Sequence, residues 1–203
     1  MRVYRVIAGV TGVVGVLGAV LSHVGAAEAD RTFASASGVA QSLISVGVPF
    51  IGAVAAARRE QSVYRLAIGY AVGLAAVGLI ASILVAWLVP STASDRWEHA
   101  PVLIIGAFVT QVVAQLTGTG LGMLIGRGWI AAAATIVLPL GLYGVLSATA
   151  PGARPWLTPY GSAQPWWNGE YGGSDVLPNV VMFALWGLAL NLAGLYVARS
   201  RRP

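Results

Sequence analysis

A chain of 203 residues that is 57 % hydrophobic, 9 % charged and +5 in net charge lies far from the soluble norm of about 25 % charged residues. Its length suits one compact bundle without a second soluble domain. It has no cysteine and no lysine, which excludes disulfides, thiolate metal sites and a P-loop, and with the P-loop nucleotide hydrolysis by that route.

The apolar runs predict an all-α membrane protein with six transmembrane helices, over about residues 6–27, 38–57, 66–89, 101–126, 129–150 and 176–198. Each is about 20 residues or more, enough to cross a hydrocarbon core of about 30 Å. Threaded this way, residues 1–203 form a single transmembrane domain and the charges sort by side. Nine of twelve arginines (Arg2, Arg5, Arg58, Arg59, Arg65, Arg127, Arg199, Arg201 and Arg202) share the side of both termini. Arg31, Arg96 and Arg154 share the other with six of the seven acidic residues. An arginine excess marks the cytoplasmic side, so both termini are expected there and nucleic-acid binding is not. Arginine in place of lysine, with abundant Ala, Gly and Val, points to the cell membrane of a GC-rich bacterium.

In the first span, Arg2, Arg5, the apolar run and Ala27-Glu28-Ala29 imitate a cleavable signal peptide. The run exceeds the usual apolar core of about 7–15 residues, which favours a retained span. Gly9, Gly12, Gly15 and Gly18 predict close helix packing, and His23 is expected in the headgroup layer. The second span carries Pro49, an expected kink. It ends in the charged connection 58–65, with Arg58, Arg59, Glu60, Gln61, Tyr64 and Arg65. The third span has Gly69 and Gly73 in GxxxG spacing, and Trp87 fits an aromatic belt. Asp95, Glu98 and His99 in the following loop are expected to be solvated rather than metal-bound.

The fourth span sets Gln111, Gln115, Gly118, Gly122 and Gly126 along one helical stripe. Amides facing lipid are costly, so the stripe should face protein or a polar pathway. A tight turn at Arg127 makes a hairpin with the fifth span, in which Pro139 is a candidate hinge. Gly187, Asn191 and Gly194 make a second small-residue stripe on the last span, for packing or a pathway. Between these spans, residues 151–175 hold Trp156, Tyr160, Trp166, Trp167 and Tyr171. That composition predicts short helical or re-entrant pieces at the outer surface. No catalytic constellation is visible and no span contains a carboxylate, which argues against an enzyme, bound cofactors and an acidic proton relay.

The segments GTGLGMLIGRGWIAAAATIVLPLGLY, PWLTPYGSAQPWWNG and ALWGLALNLAGLYVARSRR resemble the C-terminal half of permease subunits of bacterial ABC exporters of the type-two (ABC-2) class, the actinobacterial members above all. The resemblance covers about the last 100 residues. It implies half of a transporter that moves a hydrophobic or amphipathic substrate (a drug, lipid-like molecule or antimicrobial peptide) outward. A second permease half and two cytoplasmic ATP-binding-cassette ATPase subunits, which hold ATP and Mg, would be its partners. Arg58, Arg59, Glu60, Gln61, Tyr64 and Arg65 would then form the ATPase-coupling loop. Trp156, Leu157, Thr158, Pro159, Tyr160, Trp166 and Trp167 would belong to external re-entrant helices, and the first and fifth spans would meet their counterparts in the other half. The chain departs from the family in having only residues 1–5 before the first span, and Ala55-Ala56-Ala57 where an acidic residue usually precedes the coupling segment. A substrate-capture membrane subunit of a vitamin importer is the alternative, and a non-transporting scaffold a third.

Overall fold

The computed structural model describes residues 2–201; Met1, Arg202 and Pro203, the second of these grouped above with the arginines beside the termini, lie outside the described residues. Five long helices, α1 (Arg2–Gly25), α2 (Phe33–Ala57), α3 (Val63–Leu88), α4 (Ala100–Ile125) and α5 (Gly128–Thr149), are followed by the short α6 (Arg154–Leu157) and α7 (Pro159–Asn168). A last long rod is continuous from α8 (Gly173–Met182) through a π-helical stretch (Phe183–Ala189) into α9 (Leu190–Ser200). No strand occurs among the described residues. Six helices are long and apolar enough to cross a membrane, as the sequence pattern predicts, although α1, α2, α3 and the last rod begin three to five residues earlier than hydropathy suggests.

Local chemistry sets those limits. Thr32 and Ser35 form a reciprocal capping box that starts α2 ahead of its apolar stretch. Gly126 closes α4 at φ 70° and Gly169 closes α7 at φ 77°, a left-handed conformation that glycine adopts without steric cost. Gly126 therefore ends the stripe of α4 rather than packing within it.

α2 and α4 form the central pair. α1 and α3 pack on one side of it, α5 on the other, α9 lies along α4, and α7 crosses the far ends of α2 and α4. The pair is joined by glycine. A methyl group at Gly118 would overlap the Pro49 carbonyl, and one at Gly122 would overlap the Ala53 carbonyl. From the other side, a methyl group at Gly52 would come within 2.8 Å of the Gln115 carbonyl. Such close backbone approach is how helices adhere in lipid, where apolar side chains gain nothing by leaving one another. The α1 glycines act differently: Gly12, Gly15 and Gly18 are buried and receive side chains, Leu74 of α3 at Gly12, Ile44 of α2 at Gly15 and Leu43 of α2 at Gly18, whereas Gly9 meets nothing within 4 Å.

Both termini sit at one end of the bundle. Tyr4 donates to Glu60 at 3.1 Å, and Arg59, Arg127 and Arg201 border one cleft. The opposite end is stitched by Arg31 and Arg96. Arg31 donates to the carbonyls of Val24, Ala26 and Pro90, and Arg96 to that of Val89. These guanidiniums satisfy carbonyls at and beyond the C-terminal ends of α1 and α3, which have no intrahelical donors. Phe33 stacks on Trp97 at 5.4 Å beneath them. His23, expected at the headgroups, is fully buried in this end, with neither ring nitrogen partnered among the described residues.

Candidate functional site

Residues of α2, α4 and α5 face a common space in the half of the bundle away from the termini, and residues of α7 and α8 line the same space. They enclose a cavity of about 380 Å³, within the range of about 300–1,000 Å³ typical of small-molecule sites. Pro49 on α2 and Pro139 on α5 both line it. Proline lacks the amide that would bond the carbonyl four residues back, so Ser45 and Thr135, themselves lining residues, each lose that helical donor.

The roof is held by aromatic and side-chain contacts. Thr158 caps α7 by accepting from the Gly161 amide at 3.0 Å. Tyr160 meets Tyr143 and Trp167 edge-on at 4.8 and 5.5 Å. The Tyr143 hydroxyl accepts from Arg154 and Gln164. Trp166 donates to Asn179 on α8, and Asn179 donates to the carbonyls of Ser162 and Asp175. Trp186 donates to the Leu157 carbonyl at 2.8 Å, tying α6 to the π-helical stretch. Beside the roof, Trp166 stacks on Tyr171 at 3.6 Å. Burial first, and the nearby Asp175 carboxylate second, push the Tyr171 phenol above its ordinary pKa.

The lining is largely apolar, with no charged residue in it. Its six aliphatic hydroxyls, Ser42, Ser45, Thr110, Thr117, Thr135 and Ser162, each donate to a carbonyl three or four residues back in their own helix. With that single proton committed, each has only lone pairs left to offer, and Ser162, wholly buried, offers none to the cavity. Trp167 is the counterpart. Its indole is 8 % exposed and lines the cavity, and its Nε1–H has no partner among the described residues. The Tyr160 hydroxyl makes no bond among the described residues and can rotate to either role.

The residues singled out by the sequence fall in three places. Gln111 and Gln115 are fully buried in the α2–α4 seam with Gly118 and Gly122, and do not line the cavity. Gln111 donates to the backbone and side-chain oxygens of Gln41, which in turn donates to the Ala75 carbonyl on α3. Neither amide atom of Gln115 finds a partner among the described residues. Asn191 donates to the carbonyls of Leu116 and Gly187 and accepts from the Tyr64 hydroxyl, so Asn191 joins α9 to α4, while Gly187 is bonded within the last rod and packs on Phe183 of the same stretch. Pro139 alone of the packing-or-pathway group reaches the cavity. Of the roof residues, Pro159, Tyr160 and Trp167 line it, Leu157, Thr158 and Trp166 hold the roof in place, and Trp156 is exposed.

The connection 58–65 lies at the other end. Arg58, Arg59, Glu60, Gln61 and Arg65 are exposed, whereas Tyr64 sits in the first turn of α3 and turns inward to Asn191. Arg59 adopts φ 57°. With Arg127 and Arg201 it borders a cleft of about 210 Å³, and Arg201 donates to the Leu124 carbonyl. Sequence reasoning missed Gln41 and the cavity hydroxyls. Ser42 and Ser45, spaced by three, and Thr110 and Thr117, spaced by seven, are the signal that places hydroxyls on one face of each helix.

No family model, no curated protein and no solved structure matches the chain.

Proposed function

We propose that this protein is the membrane-embedded permease half of an ATP-driven exporter, with the cavity beneath α7 as its substrate site. The cavity carries the reading: an uncharged, largely apolar chamber bounded by four long helices, in which Leu43, Val46 and Leu140 line the space and remain exposed. In a bilayer that border offers lateral entry from lipid, which suits a hydrophobic or amphipathic substrate and a multi-pass protein of the cell membrane. The arginine-rich end is the cytoplasmic one by the positive-inside rule, which sets the cavity toward the outside under an external α6–α7 roof. A chain without lysine has no P-loop, so ATP and Mg belong to a partner ATPase. Arg58, Arg59, Gln61 and Arg65 are exposed at the cytoplasmic end and form the docking surface for it. A second permease half, identical or not, completes the transporter.

Affinity purification of the full chain from native membranes tests this. Recovery of an ATPase bearing a Walker motif, lost on Arg58→Glu with Arg59→Glu, is the expected result. Recovery of none, or recovery unaffected by the double substitution, counts against the reading. A substrate-capture subunit of a vitamin importer is the second reading, favoured by one observation: the cavity is complete within a single chain. Nanomolar binding of a polar vitamin by the purified protein would establish it instead, and the apolar lining weighs the other way.

A further inference from the structure

The cavity's polar groups are unequal in kind, and that inequality specifies a ligand. Six aliphatic hydroxyls have spent their protons on their own helices, so the five that are not wholly buried can present only oxygen lone pairs, Ser162 being sealed off. Two prolines add carbonyls without helical donors to the same walls. Against this excess of acceptors stands one donor, the unpartnered Nε1–H of Trp167, which is buried at the cavity wall and meets a ligand when the indole turns. A buried donor left unmade costs free energy that a ligand acceptor would restore. No carboxylate or guanidinium lines the space. An ion placed there would lose its hydration without gaining a counter-charge.

We infer that the cavity binds an uncharged molecule with an apolar body and a carbonyl-type acceptor, the acceptor meeting Trp167 and any N–H or O–H donors meeting the hydroxyl oxygens. Neutral amides and alcohols fit. Carboxylates, phosphates and ammonium ions are rejected by the same walls, and plain hydrocarbons leave the indole unpaired. The inference rests on reading the cavity as the substrate site and narrows the substrate class from amphipathic to neutral amphipathic.

The test uses the full chain in lipid nanodiscs and three diazirine-bearing probes of equal chain length: decanamide, decanoate and decylamine. Photolabelling read by mass spectrometry should place the amide on α2, α4 and α5 beside the cavity, competed by unlabelled decanamide, with the two ionised probes labelling there at least 10-fold less. Trp167→Phe keeps the ring and removes the donor, and should weaken competition about 5- to 10-fold, the equivalent of one hydrogen bond. Ser45→Ala, a milder change, should weaken the amide but not a matched ester that has no donor. Equal labelling by all three probes, a preference for an ion, labelling confined to other surfaces, or indifference to both variants would overturn the inference. Loss of ATPase recovery would leave these results untouched and sink only the exporter reading, so the two fail separately.

Discussion

The α2–α4 seam and the helix α5 carry the same residue types and do opposite things. In the seam, Gly52, Gly118 and Gly122 bring backbone against backbone, and the Pro49 carbonyl rests on Gly118. On α5, Gly141 and Gly144 are exposed and meet nothing within 4 Å, and Pro139 lines the cavity. The consequence is visible in burial: 56 % of the α2 span is buried against 17 % of the α5 span. Small residues permit close packing only where the opposing helix also lacks bulk; elsewhere they leave space. The largest expected effect follows from that contrast. Gly118→Leu should cost about 3 kcal/mol or prevent assembly, because backbone cannot retreat as a flexible side chain can. Gly141→Leu should change stability by less than about 0.5 kcal/mol, as surface substitutions do. Thermal unfolding in one detergent compares the two, and equal losses would break the distinction.

A second contrast lies within the seam. Gln111 is bonded to both oxygens of Gln41, while Gln115, one turn on and equally buried, is bonded to nothing among the described residues. Gln111→Leu should destabilise by about 1–2 kcal/mol, since it strips a partner from a buried amide that also ties α3. Gln115→Leu should be neutral or slightly stabilising, since a buried group without a partner is replaced by an apolar one of similar size. A loss at Gln115 equal to that at Gln111 would show that both amides are used.

The sequence made six helices legible because hydropathy and length are properties of one segment at a time. It also made legible that Gln111, Gln115, Gly118 and Gly122 share one buried face, since period alone decides that. What it hid were partners. Gln41 looks like any polar residue in α2 until Gln111 and Ala75 are seen on either side of it. Thr135 bonds its own helix and could sit anywhere in a span, so its presence carries no local signal. Arg31 and Arg96 read as exceptions to charge sorting, yet they cap carbonyls where helix ends meet. Tyr64 falls in a charged connection by position and turns to Asn191, distant by 127 residues in the chain, by geometry.

A small effect on stability should carry the most information about the cavity. Pro139 is one of only three buried residues on α5, with Ala131 and Thr135. Pro139→Ala restores an amide to bond the Thr135 carbonyl and removes the ring from the cavity wall. In a water-poor span the restored bond offsets the lost contact, so stability should shift by less than about 1 kcal/mol. The cavity should respond more strongly, because its wall loses the Pro139 ring and the unbonded Thr135 carbonyl together. Labelling by the decanamide probe should fall several-fold while global unfolding stays put. If labelling is unchanged, Pro139 does not shape the site, and its form is owed to the roof contacts of Tyr143, Tyr160 and Trp167 instead.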